Sequence, residues 1–259
     1  MSLADGALTQ LRVVHALALR ETRTRFGQNR LGYFWALVEP TLWILMFYGM
    51  YELVDRQVPD GMEVVPFLAT GILTYQMFAK TTDQAAAAVS GNKALLYYPH
   101  VQTIDLIAAR AVLEAVTYVL VLALIVGAHA LFSGTGGLHD LLTLLSGLGL
   151  ASLLGATFGL LLCSLGVLSD TVHRIRGPLM RPLFWTSGLF FTANELPTHV
   201  RELLLYNPVL HCVEIARGGW FAGYHAHHAD PAYVLVWIVA FAFAGLTLER
   251  TVRRRVQVT

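Results

Sequence analysis

The run from Leu141 to Ser169 contains no charged residue and is bounded by Asp140 and Asp170. The hydrocarbon core of a bilayer is about 30 Å thick, and a helix crosses it with about 20 mostly apolar residues. This segment is long enough to span, and it sets lipid as the solvent for the chain. Only 14% of the 259 residues are charged and the mean hydropathy is +0.57. A soluble domain carries about 25% charged residues, so this chain cannot coat a water-facing surface. The formal net charge of +1 does not suggest nucleic acid. Cys163 and Cys212 make neither a disulfide framework nor a metal-binding spacing. Met1 to Thr9 has no basic segment leading into an apolar core, so no cleaved signal peptide is expected.

Five further segments complete an expected all-α integral membrane fold of six transmembrane helices: Leu31–Val54, Val64–Val89, Ala115–Phe132, Gly177–Ala193 and Pro231–Leu248. Gly177–Ala193 is the weakest, being short and broken by Pro178, Arg181 and Pro182. Basic residues set the orientation. With both termini in the cytoplasm, Arg12, Arg20, Arg23, Arg25, Arg30, Lys93, Arg174, Arg176, Arg181, Arg250, Arg253, Arg254 and Arg255 lie inside. Only Arg56, Arg201 and Arg217 then lie outside. Before the first span, Leu8, Leu11, His15, Ala18 and Leu19 recur at helical spacing, with Arg12, Arg20 and Arg23 off that stripe. The pattern predicts an amphipathic helix in the cytoplasmic interface. The domains are then an interface helix over 1–30, a transmembrane domain over 31–250 and a cytoplasmic tail over 251–259.

No G-x-x-x-x-G-K-[ST] loop is present, so ATP, if it drives this protein, is bound by another chain. No nucleophile elbow or zinc-protease helix occurs either. Tyr33, Phe34, Trp35, Trp43, Phe47, Tyr48 and Tyr51 run through the whole first span, more than an interfacial belt requires. They fit a path on which sugar rings stack, or plain helix packing. Glu39 before Pro40 has two readings. It caps a helix that starts at Pro40, the favoured one, or it faces a cavity or partner within the membrane. The segment from Gly91 to His100 exposes an apolar-aromatic centre, either as a docking surface for a partner or as a structured turn. Residues 194–224 are too polar to span and too apolar for a free loop, which fits two short helices dipping into the outer leaflet. There, Glu214 and Arg217 sit three apart on one helix and can pair. His225, His227 and His228 read as a hydrated turn rather than a metal site.

The run R-E-T-R-T-R-F-G-Q-N-R-L-G-Y-F-W-A-L-V-E-P resembles the start of the permease subunits of bacterial ABC-2-type exporters. The downstream L-P and Y-N-P-V-L-H-C-V-E-I-A-R-G-G-W-F resemble their outer re-entrant segment. The short length and the form R-x-R-F-G…L-G-Y-x-W-A-L-x-E-P are most similar to the permeases of capsular polysaccharide exporters. O-antigen and teichoic-acid exporters share the general pattern. The resemblance implies an inner-membrane homodimer with no cofactor of its own. ATP and Mg would be held by a separate ATPase subunit. A periplasmic adaptor and an outer-membrane exit protein would complete the route of a lipid-linked polysaccharide. It further implies substrate uptake at Arg20, Arg23, Arg25 and Arg30, and a channel lined by the aromatics of the first span with Phe184, Trp185, Phe190 and Phe191. Asn92, Lys93, Leu95, Tyr97, Tyr98 and His100 would couple to the ATPase. Glu39, Pro40, Asn207, Pro208, Glu214 and Arg217 would serve gating or structure.

Overall fold

The computed structural model describes residues 3–26, 31–58, 61–92, 95, 101–134, 137–169 and 171–256. It leaves aside the side chains of 3–9, 24–26, 31–33, 173 and 253–256. The described residues form α1 (Leu3–Phe26), α2 (Leu31–Leu53), α3 (Val64–Ala86), α4 (Thr103–Ser133), α5 (Leu141–Leu168), α6 (Thr171–Thr186), α7 (Thr198–Leu204), α8 (Pro208–Trp220) and α9 (Pro231–Val256). A short 3-10 turn at Ala193–Glu195 precedes α7. Three of these, α4, α5 and α9 over Pro231–Val252, are long and apolar enough to cross a membrane.

The centre of the fold is α5, and its sequence explains why. Gly147, Ala151, Gly155 and Gly159 recur every fourth residue, so the small surface winds slowly round the helix. Gly155 lets the carbonyl of Phe78 in α3 come so close that a Cβ there would lie 2.5 Å from it. Gly147 does the same for Cys212 O in α8, at 2.8 Å, and Gly159 for Thr82 O in α3, also at 2.8 Å. Helices α3, α8 and α9 all pack on α5, and α3 makes the most extensive contact. Phe67, Leu73, Leu148, Leu154, Leu189, Val209 and Val234 fill the main core between these helices. A second core of Leu17, Ala85, Leu106, Ile107, Leu160 and Cys163 seats α1 on α4.

Three departures from the expected elements have physical causes. Helix α4 begins at Thr103, well before Ala115, because its polar early residues are partnered. Asp105 and Gln102 form a capping box, and Arg110 pairs with Glu21 at 3.2 Å and donates to Gln84 O at 2.8 Å. Helix α6 occupies Thr171–Thr186 rather than Gly177–Ala193, and Gly188, at φ +74°, turns the chain after it. At 1.5 Å per residue it is about 24 Å long. Helix α2 runs unbroken through Pro40, so Pro40 does not start a helix and Glu39 is not its cap. Thr41 Oγ1 donates to Leu37 O at 2.7 Å beside the proline, in the manner of hydroxyls near prolines in apolar surroundings. Helix α1 turns Val13, Val14 and Leu17 toward the protein, and Leu11 and Leu19 of the expected apolar stripe are exposed on its other side.

Candidate functional site

Along α2 the buried positions are Pro40, Ile44, Phe47 and Tyr51, a stripe at helical spacing that faces the bundle. Trp35, Glu39, Leu42, Trp43 and Met46 lie off that stripe and line an open groove. Trp35 is 61% exposed and Trp43 38%. The expected channel aromatics therefore divide into two sets. Phe47, Tyr51 and Phe190 are buried inside the chain, whereas Phe34, Trp35, Trp43, Tyr48 and Trp185 present exposed surface. Phe184 and Phe191 are half-buried. The side chain of Tyr33 lies outside the described residues.

Helices α2 and α6 meet through an aromatic cluster. Trp43 and Phe47 stack at 5.8 Å and 17°, and Phe47 meets Phe190 at 4.2 Å. Phe184 touches Trp43, Phe47, Trp185 and Phe190, and Trp185 lies 5.6 Å from Phe190. Most of these centroid separations fall in the range where aromatic pairs attract. Tyr75 of α3, which the aromatic pattern of the first span could not reveal, completes the cluster. Its ring is 5.3 Å from Phe184 and its hydroxyl donates to Met180 O at 2.7 Å.

Beside this cluster sit two ion pairs, both one helical turn apart on α3. Lys80 Nζ lies 2.9 Å from both Glu39 carboxylate oxygens of α2. Asp83 lies 2.8 Å from Arg176 Nε of α6. Side-chain exposures are 37% for Lys80, 47% for Glu39, 26% for Arg176 and 42% for Asp83. Lys80 and Asp83 are visible in the sequence as charges inside a span, but their partners are far away in the chain and no spacing identifies them.

On the cytoplasmic side of the expected topology, Arg20 Nη1 donates to Asn92 Oδ1 at 3.3 Å, and Asn92 Nδ2 donates to Ala88 O at 3.3 Å. The expected uptake helix and the expected coupling loop thus touch. Arg23 is exposed and Leu95 half-buried. The side chain of Arg25, and Arg30, Lys93, Tyr97, Tyr98 and His100, lie outside the described residues.

At the other end, Asn207 caps α8 by accepting from Val209 N at 3.0 Å, and Pro208 takes the first helical position, where a missing N–H costs nothing. Asn207 Nδ2 also donates to Thr186 Oγ1 at 3.1 Å and Ser187 Oγ at 3.0 Å, fixing α8 to the end of α6. Glu214 and Arg217 pair at 3.6 Å and are completely buried. No group of three His, Cys, Asp or Glu able to hold a metal occurs among the described residues. Among the described residues the ion pairs lie apart, Glu39–Lys80 and Asp83–Arg176 between helices and Glu214–Arg217 within α8.

An all-helical bundle whose described residues include three helices long and apolar enough to cross a membrane defines an α-helical membrane protein. The family is shown by comparison: residues 12–221 match the model of the ABC-2 type transporter, and the chain belongs to that family. It is 31% identical to the polysialic acid transport protein KpsM of Escherichia coli, over 95% of this chain and 96% of that protein. It is 26% identical to the capsule polysaccharide export inner-membrane protein BexB of Haemophilus influenzae, over 96% and 94% of the two chains. With the capsule polysaccharide export inner-membrane protein CtrC of Neisseria meningitidis serogroup A it shares 27% identity, over 95% and 93%.

Proposed function

We propose that this chain is the transmembrane subunit of an ATP-driven exporter that moves a lipid-linked capsular polysaccharide across the bacterial inner membrane. The observation that carries the reading is the likeness, over almost the whole chain, to proteins named for polysialic acid transport and capsule polysaccharide export, and the partly exposed ion pair Glu39–Lys80 beside the α2–α6 aromatic seam fits it. Charges at membrane depth are expensive and face a partner or a water-filled cavity. Exposed charge on α2 and α3 therefore supports a hydrated groove, rather than a lipid-facing surface, at Trp35, Glu39 and Trp43. A hydrated groove walled by indoles suits a polymer of sugar rings, which can stack repeatedly and weakly as it slides.

In this reading α2, α3, α4, α5, α6 and α9 are the six spans, with both termini in the cytoplasm. Residues 1–30 form the interface helix, 31–250 the transmembrane domain and 251–259 the tail. Helices α7 and α8, within 194–224, dip into the outer leaflet. Two copies of the chain face each other through α2 and α6 to enclose the path. Arg20, Arg23, Arg25 and Arg30 attract the anionic lipid-linked end, since each basic group near the inner leaflet contributes about 1 kcal/mol toward anionic headgroups. An ATPase subunit, holding ATP and Mg, seats against the Asn92–His100 loop and moves α1 through the Arg20–Asn92 contact. A periplasmic adaptor and an outer-membrane exit protein receive the polymer.

Alanine substitutions at Trp35, Trp43 and Trp185 test the path. Each is expected to lower surface capsule several-fold while the ATPase subunit still co-purifies with the variant. Parental capsule in all three would overturn the aromatic path.

A further inference from the structure

Between α8 and α9 the chain passes through His225, His227 and His228, the run expected to be no more than a hydrated turn. The structure sets two of the three side by side. The rings of His225 and His227 have centroids 5.8 Å apart and planes at 48°. His227 N donates to His225 O at 2.9 Å, closing a three-residue turn of which these two are the first and last residues. Asn194 Nδ2 donates to the same carbonyl at 3.2 Å. Tyr224, the residue before, is buried with its hydroxyl donating to Glu214. The pair is therefore held in place by backbone and by neighbouring side chains, although both rings are exposed.

Other histidines spend their nitrogens on the fold. His211 uses both, with Nε2 2.8 Å from Leu205 O and Nδ1 accepting from Asp230 N at 2.9 Å. His129 Nε2 lies 2.7 Å from Glu63 Oε2. Among the described residues, the rings of His225 and His227 have no hydrogen-bond partner. They line instead an open cavity of about 510 Å³, which Thr143 and Ser146 of α5 also line. The Thr143 hydroxyl donates to Asp140 and the Ser146 hydroxyl to Thr143 O, so both oxygens keep lone pairs for a further donor. Asp140 adds negative charge behind that wall.

The spacing of the two rings has a chemical meaning. With a metal–nitrogen bond of about 2.0–2.1 Å and a ring centre about 1.1 Å behind the nitrogen, each centre stands about 3.2 Å from a shared ion. Two such rings are then about 5.2 Å apart at a tetrahedral angle and about 6.4 Å apart when opposite each other. The observed 5.8 Å falls between the two. Imidazole suits zinc and copper among the divalent first-row ions. We propose that His225 and His227 chelate one zinc or copper ion at the outer end of the protein. Water completes its coordination inside the cavity and donates to the Thr143 and Ser146 hydroxyl oxygens, the outer-shell contact that orients a metal site. The ion joins the two arms of the turn and is independent of the cargo the chain carries.

The test uses the complete chain, purified in detergent with a tag free of histidine, and copper(II) and zinc(II) salts as probes. One equivalent of copper(II) should give an electron paramagnetic resonance spectrum with two coordinated nitrogens. His225→Gln and His227→Gln should each remove that signature and weaken zinc binding at least about tenfold, read by competition with a chromophoric chelator. Both side chains are exposed, so the variants should elute where the parent does. His139→Gln and His228→Gln should leave copper spectrum and zinc affinity unchanged. A single coordinated nitrogen in the parent, or two that survive in either variant of the pair, would overturn the proposal. So would equal zinc affinity in the parent and in the His225→Gln, His227→Gln double variant, or loss of binding in His228→Gln.

Discussion

Two glycines on one helix make a matched pair for testing what seats α5. At Gly155 an added methyl would stand 2.5 Å from Phe78 O, 3.1 Å from Thr81 Cβ and 3.3 Å from Phe78 C. Two of those three atoms are backbone, so relief requires α3 and α5 to separate. At Gly149, six residues earlier, nothing lies within 4 Å. Either alanine gains about 1 kcal/mol from the lower conformational entropy lost by the helix backbone. Overpacking at Gly155 costs about 3 kcal/mol, the upper part of the usual range, because carbonyls cannot rotate away as a side chain does. Gly155→Ala should therefore be about 2 kcal/mol less stable than the parent and Gly149→Ala about 1 kcal/mol more stable. At roughly 2–4 °C per kcal/mol for a chain of this size, the two melting temperatures should differ by about 6–12 °C. Thermal unfolding of the purified protein in one detergent, followed by loss of the monodisperse peak, measures it. Equal melting temperatures would refute the claim that close backbone approach at Gly155 holds α3 to α5.

Exchanging the charges of one pair, Glu39→Lys with Lys80→Glu, should restore most of the capsule that either single substitution removes, read as surface polysaccharide; no rescue would mean that the pair does not act as a unit. Asp140, ahead of α5, has its carboxyl held below the usual range by the Thr143 hydroxyl and the Leu142 N–H. A group whose folded pKa is depressed contributes stability that is fully present above its unfolded value, about 3.9, and is lost as pH falls through the folded one. Asp140→Asn, which still caps, should therefore show a smaller drop in melting temperature than the parent between about pH 5 and pH 3.

How much of this was legible in the sequence varies by the kind of interaction. Apolar length marks α5 almost to the residue, because hydrocarbon and chain composition decide it without reference to neighbours. The bounds of α4 and α6 were not legible, since whether Arg110 or Arg176 can sit in a helix depends on Glu21 and Asp83, partners distant in the chain. Glu39 misled for the same reason. Next to a proline it has the local signature of a cap, yet Lys80 of another helix supplies its partner. The aromatic residues were visible, but not which of them turn inward, because Phe47 and Tyr51 differ from Trp35 and Trp43 only in their angle about α2. The hydrogen bonds from Arg217 to Phe191 O and Leu189 O left almost no signal. Their acceptors are backbone carbonyls, which any residue provides, and only the Glu214–Arg217 spacing hinted at a pair.

The same contrast says where the molecule can move. Helices α3, α5 and α8 meet at glycines whose backbone contacts leave no slack, so relative motion there would open voids or force clashes. Helices α2 and α6 are held differently. Ion pairs through Lys80 and Asp83, tilted aromatic rings and hydrogen bonds to turn carbonyls attach them to the rest. Contacts of that sort tolerate sliding better than close backbone packing does. A rigid glycine-packed block flanked by two ionically tethered helices is the arrangement a transporter needs if its wall is to shift while its core stays folded. The proposed path therefore lies along the two helices that the packing leaves free to move.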